Sequence, residues 1–113
     1  MAKIMSERLM LCGIPAILAV LLLCAPLRAQ ETGEALFKAK CAMCHGPDGS
    51  GKTFMGEKLK VPDLRSAEVQ KKSDADLRAV ITKGKDKMPS YEGKLTKEQI
   101  DKLVTYIRDL AKH

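Results

Sequence analysis

The chain has 113 residues and four cysteines, carries a formal net charge of +6, and contains no tryptophan. This length allows one small domain with a limited hydrophobic core. The basic excess is modest and is not gathered into the dense patch that nucleic-acid binding requires, so we expect no nucleic-acid partner.

The first 29 residues have the pattern of an export signal. Lys3 and Arg8 give a positive start, a mostly apolar run occupies positions 9–25, and Ala29 offers a small residue for cleavage. We therefore predict a signal peptide at 1–29, a mature domain at 30–113, and a periplasmic or otherwise exported protein. The alternative is an uncleaved anchor, which would give the chain contact with a membrane.

Helix signals begin directly after this leader. Thr32 is placed to cap a helix from Gly33 to about Ala42. Weak helical character at 54–60 and a short helical turn at 66–70 follow.

Two capping-box sequences begin the later helices, at Ser73 and at Thr96. The first of these helices ends at Gly84, in a left-handed conformation that glycine adopts easily, and an irregular loop at 85–94 comes next. The last helix has an apolar stripe at helical spacing, formed by Ile100, Leu103, Val104, Ile107, Leu110 and Ala111. No segment alternates as a strand does, so the sequence predicts one all-α domain.

The chemistry of the chain centres on the run Cys41-Ala42-Met43-Cys44-His45. Two thiols three positions apart, followed at once by an imidazole, are the pattern of covalent haem c attachment. Cys41 and Cys44 are also the only thiols outside the leader. A plain disulfide or a thioredoxin-like pair is the alternative, but the latter requires surrounding strands. We predict one haem c, attached through Cys41 and Cys44, with His45 as an axial iron ligand.

The second axial ligand is predicted to be Met88. It lies in a loop fixed by Pro89, far from His45 in the sequence, and a thioether raises the reduction potential of a haem. Met43 lies inside the attachment motif, and Met55 lies soon after it. The C-terminal His113 is expected to be solvated.

With these residues in place, the mature chain resembles the class I cytochromes c, of the small bacterial or cytochrome c6-like kind, along nearly its whole length. The resemblance rests on segments 41–46, 62–64 and 88–89, and on Gly33, Phe37, Leu103 and Tyr106. It implies three or four helices wrapped around one haem, with the first and last helices crossing closely. It also implies electron transfer and no enzymatic activity.

The resemblance further implies a haem pocket. The Pro62 carbonyl would accept a hydrogen bond from His45 Nδ1, which turns Nε2 toward the iron, and Leu64 would pack against the macrocycle. Some members of the family use a tryptophan near the haem propionates, which this chain lacks. Arg65, Lys58 or Lys60 are the candidates to replace it.

Two further features concern possible partners. Residues 46–53 match the spacing of a phosphate-binding loop, but no strand precedes them, so we expect no nucleotide. Lys83, Lys85 and Lys87 flank Met88, and with Lys52 they are candidates for docking redox proteins that have acidic surfaces.

These observations predict a periplasmic carrier that passes one electron between respiratory redox partners. Two alternatives stay open at this stage. In one, Met88 is labile and the protein is a haem enzyme or a sensor of a small gas. In the other, the leader is retained and the domain is a membrane-tethered haem module of a respiratory complex.

Overall fold

The computed structural model describes residues 31–113, in which the predicted all-α fold is confirmed. The helices are α1 (Gly33–Lys40), α2 (Ala42–His45), α3 (Phe54–Leu59), α4 (Ala67–Gln70), α5 (Asp74–Lys83) and α6 (Lys97–Leu110). Strand-like pairing in this part of the chain is limited to one isolated bridge, between Lys85 and Met88. The predicted signal peptide at 1–29 and its boundary lie outside the described residues.

Local sequence signals set where the helices begin. The Thr32 hydroxyl accepts a hydrogen bond from the Ala35 amide at 3.1 Å, as predicted for a cap. The capping boxes that begin at Ser73 and at Thr96 are both formed. Each box satisfies backbone donors that the first helical turn leaves unpaired, so these starts depend on nearby residues alone.

The core forms where α1 crosses α6. Leu36, Phe37 and Leu103 are fully buried there, and α6 also buries Ile100, Val104, Ile107 and Leu110. Five of the six residues in the predicted stripe are therefore in the core. The prediction is wrong for the sixth residue, because Ala111 lies just after α6 and is exposed.

The crossing requires a glycine at position 33. A Cβ there would lie 2.4 Å from the Lys102 carbonyl oxygen and 3.2 Å from Tyr106 Cβ. Only a residue without a side chain lets the two backbones approach this closely. The close crossing implied by the resemblance is thus present.

The prediction of one helix from Gly33 to about Ala42 needs correction. The helix ends at Lys40, Cys41 separates it from α2, and Ala35 and Ala39 are exposed. The Cys41 carbonyl accepts hydrogen bonds from the amides of both Cys44 and His45, at 3.2 and 3.0 Å. A new helical turn therefore starts at the attachment motif.

Arg108 connects α6 to the end of α4, to the start of α5 and to the residues between them. Its guanidinium donates to the Asp74 carboxylate, to the Gln70 carbonyl and to the Lys72 carbonyl. Gln70 in turn donates to the Leu64 carbonyl at 2.8 Å. These bonds fix the position of Leu64.

None of the helices within residues 31–113 is long and apolar enough to cross a membrane.

Candidate haem site

The attachment motif lies at the break between α1 and α2. Cys41 occupies the break, and Cys44 and His45 form the end of α2. Both cysteines are free thiols and both are partly buried. Burial, with a smaller effect of Cys44, raises the pKa of Cys41 to about 11. Neither Cys41 nor Cys44 is in a disulfide, so both thiols are free for covalent attachment.

The His45 side chain lies against the core. Its ring centroid is 6.4 Å from that of Phe37, whose other neighbour is Tyr106 at 5.2 Å. Burial lowers the pKa of His45, which favours the neutral imidazole that binds metals. His45 Nδ1 is buried without a hydrogen-bond partner among the described residues. A buried nitrogen without a partner costs about 1–3 kcal/mol.

The glycine-rich segment 46–53 supports the motif. The Gly51 amide donates to the His45 carbonyl at 2.7 Å, and the Thr53 hydroxyl donates to the Cys44 carbonyl at 2.8 Å. These two bonds satisfy carbonyls at the end of α2. The segment follows a helix, not a strand, so its structural setting is not that of a phosphate-binding loop. Sequence reasoning missed this supporting role.

The predicted role of Pro62 is not seen. His45 Nδ1 has no hydrogen-bond partner within residues 31–113, so the expected bond to the Pro62 carbonyl is not formed. The His45 ring has Phe37 as an aromatic neighbour, with an angle of 40° between the two ring planes. Leu64 is buried in the core, and its amide donates to the Gly49 carbonyl at 2.8 Å.

Met88 lies at the end of a tight turn that follows α5. Its amide donates to the Lys85 carbonyl at 2.9 Å, and its carbonyl accepts from the Lys85 amide at 3.2 Å. The Tyr91 amide donates to the Ile81 carbonyl at 3.2 Å, which connects the segment to α5. The Met88 side chain is partly buried and packs against the core. These contacts hold Met88 in one place although it lies in a loop.

The other candidate ligands are less well placed. Met43 is 79% exposed, Met55 lies on α3 outside the core cluster, and His113 is exposed. Met88 is the one of these four residues that packs against the core.

Charged residues near the site fall into two groups. Lys52, Lys83, Lys85 and Lys87 are exposed, and none of them forms an ion pair with another described residue. Arg65, a candidate for the propionates, already donates twice to the Asp63 carboxylate, at 3.0 Å each. Lys58 and Lys60 are exposed.

A surface groove of about 760 Å³ lies beside the α1–α6 crossing. Gly33, Lys102, Tyr106 and His113 are among its lining residues. It contains none of the cysteine, histidine or methionine residues predicted to hold the haem, so it is separate from the site.

Comparisons with known proteins agree with this geometry. Residues 28–107 match the family described as "Cytochrome C oxidase, cbb3-type, subunit III". Cytochrome c6 of Aphanizomenon flos-aquae is 34% identical over 84 residues, which cover 71% of this chain and 88% of that protein. This chain belongs to the class I c-type cytochromes. It is c6-like.

Two further relatives differ in how much of their length matches this chain. The cbb3-type cytochrome c oxidase subunit FixPc of Rhizobium leguminosarum bv. viciae is 34% identical over 83 residues, but the match spans only 28% of that subunit. The solved structure of the c-type cytochrome KustC0563 has a TM-score of 0.65 and 34% identity, covering 70% of this chain and 96% of that one. The matches to cytochrome c6 and to KustC0563 thus span most of those proteins, whereas the match to FixPc spans less than a third of that subunit.

Family membership establishes the general function. The cytochrome binds a haem c covalently, transfers electrons to and from redox proteins, and is not an enzyme. The described residues fit this cofactor, since two free thiols lie beside a partly buried imidazole whose Nδ1 is buried without a partner among residues 31–113.

Proposed function

We propose that this cytochrome is a periplasmic carrier that passes one electron between respiratory proteins, with a haem c ligated by His45 and Met88. The observation that carries the proposal is the placement of Met88. Of the three methionines in the described residues, only Met88 packs against the core, in a segment held by backbone hydrogen bonds on both sides.

Each residue of the site has a separate role in this proposal. Cys41 and Cys44 would form the two thioether bonds, and His45 would supply a neutral nitrogen to the iron. Met88 would supply sulfur to the iron, and Leu64 would contribute apolar surface. The haem itself supplies a one-electron couple, whose potential a Met/His ligand pair raises. With both His45 and Met88 as ligands, the iron would have no free position for a substrate.

The ligand assignment is tested by comparing Met88→Ala with Met55→Ala. In the Met88 variant we expect the ferric protein to lose the weak far-red band of thioether ligation, the potential to fall, and the ferrous protein to bind carbon monoxide. The Met55 variant is the matched control and should behave as the wild type. If the Met55 variant shows these changes and the Met88 variant does not, the assignment is wrong. Rapid carbon monoxide binding by the wild type would instead favour the sensor function.

The exposed lysines next to Met88 support docking of acidic partners. Lys83, Lys85 and Lys87 lie within five positions and have no ion-pair partner among residues 31–113. Their charge attracts anions over about 8 Å at physiological salt. Such an arrangement accelerates association with acidic surfaces more than it strengthens the final complex.

This docking surface is tested with small redox reagents of opposite charge. The double variant Lys85→Glu/Lys87→Glu should be oxidised by anionic ferricyanide about tenfold more slowly at low salt, and by cationic cobalt tris-phenanthroline faster. Both differences should shrink at high salt. Lys71→Glu/Lys72→Glu, which makes the same change of net charge at two exposed lysines in the turn after α4, is the control. Equal effects of the two variants would show that only net charge matters and that there is no docking surface.

A second candidate is a haem module of a respiratory complex, tethered by an uncleaved leader. The match of residues 28–107 to the cbb3-type subunit III family favours it. The intact mass of the native protein, with haem staining after denaturing electrophoresis, separates the two. A haem-bearing chain without residues 1–29 supports the carrier, whereas the full 113-residue chain in the membrane fraction supports the module.

A further inference from the structure

The Tyr91 hydroxyl makes a long-range contact that the sequence did not indicate. It donates a hydrogen bond to the Lys40 carbonyl oxygen at 2.9 Å, across 51 positions of the chain. Lys40 is the last residue of α1 and directly precedes Cys41. Tyr91 lies three residues after Met88. The bond therefore joins the segment that carries Met88 to the helix end that carries the attachment motif.

The Lys40 carbonyl accepts this bond because the helix is interrupted at Cys41. In a continuous helix the amide of Cys44 would donate to Lys40, but here it donates to the Cys41 carbonyl at 3.2 Å. No backbone amide within residues 31–113 donates to Lys40 from across the break. The carbonyl is thus one of the unpaired groups at a helix end, and the Tyr91 hydroxyl satisfies it.

Tyr91 is held firmly enough for this bond to restrain its neighbours. Its amide donates to the Ile81 carbonyl, and its carbonyl accepts from the amides of Lys94 and Leu95, at 3.0 and 3.1 Å. The ring is partly buried against the core. Burial raises the pKa of the hydroxyl, which therefore keeps its proton and remains a donor.

We propose that Tyr91 is a positioning residue. Its hydroxyl holds the segment that carries Met88 against the end of α1, next to the attachment motif, and so slows the release of Met88 from the iron. The inference rests on the proposed function, in which Met88 is an axial ligand. Loop segments open locally at small free-energy cost, and a hydrogen bond that spans the opening adds to that cost. Removing one such bond should make the open form about two to ten times more populated.

The test compares Tyr91→Phe with Tyr106→Phe in the holoprotein. Both variants lose only a hydroxyl, and that of Tyr106 has no hydrogen bond among the described residues. Cyanide binding to the ferric protein, measured by stopped flow at subsaturating cyanide, reports the fraction of protein in which Met88 has left the iron. We expect Tyr91→Phe to bind cyanide about two to ten times faster, and Tyr106→Phe to match the wild type.

The outcomes separate this inference from the function on which it rests. If the ferric wild type lacks the far-red thioether band, Met88 ligation fails and the inference fails with it. If the band is present and Tyr91→Phe binds cyanide at the wild-type rate, ligation stands and the positioning role is overturned. Melting temperatures of both variants are measured to detect a global loss of stability. A Tyr91→Phe variant that is less stable but does not bind cyanide faster would also overturn the role.

Discussion

Gly84 sets the path of the segment that carries Met88. A Cβ at this position would lie 2.6 Å from the Met88 carbonyl oxygen, 2.9 Å from the Ser90 amide nitrogen and 3.0 Å from the Pro89 carbonyl carbon. All three are backbone atoms, so no side chain can turn aside to relieve the clash. Gly84 also has a φ of +75°, which strains any other residue. In Gly84→Ala we therefore expect a clash and backbone strain together.

Gly93→Ala is the matched control, because it carries the strain without the clash. Its φ is +73°, and a Cβ there has no neighbour within 4 Å. Backbone strain costs about 1–3 kcal/mol in each variant, and the clash adds about 1–3 kcal/mol at position 84 alone. For a domain of this size, 1 kcal/mol corresponds to about 4–8 °C in melting temperature.

The measurement is thermal unfolding of the two holoproteins, with the ferric far-red band recorded at 25 °C. Gly84→Ala should melt at least about 4 °C below Gly93→Ala and should lose part of the band. Gly93→Ala should keep the band, because its added methyl group meets nothing. Equal melting temperatures and equal bands would refute the reasoning, since the Met88 segment would then tolerate a side chain at Gly84.

Two further predictions concern stability. Gly33→Ala should cost about 1–3 kcal/mol, because its Cβ forces α1 away from the Lys102 backbone. Glu34→Ala loses only an exposed ion pair to Lys38 and should leave the melting temperature nearly unchanged in the same assay. Equal losses would contradict the close crossing. Hydrogen bonds from Arg65 hold the pKa of Asp63 below its ordinary value of 3.8, so its stabilising effect is present above that pH and is lost as the pH falls through the lower, folded-state pKa. Asp63→Asn should thus melt below the wild type at neutral pH, and a difference that persists in acid would contradict this assignment.

Features that depend on neighbouring residues were predicted well. The caps at Thr32, Ser73 and Thr96 each join positions three apart, and all are formed as expected. The stripe of α6 follows from helical periodicity, and it failed only at Ala111, beyond the last turn, where no core remains to contact.

Features that depend on distant residues were missed or wrong. The end of α1 at Lys40 is not visible in helix propensities, because Ala39, Lys40 and Ala42 all favour helix. The contacts of Arg108 with the end of α4 and the start of α5 span more than 30 positions. The hydrogen bond expected between His45 and Pro62 was taken from family resemblance, and in this chain Nδ1 has no partner among residues 31–113.

By itself the sequence determined the chemistry of this protein. A motif of two thiols and an imidazole defines a covalent haem site, because those three groups must be close in sequence to reach one macrocycle. The tertiary structure decided how the segment that carries Met88, the proposed second ligand, is held. Met88 lies 43 positions after His45, so its placement depends on Gly84, on the backbone of α5 and on the bond from Tyr91 to Lys40. Contacts of that kind form only when the chain has folded, and no local pattern records them.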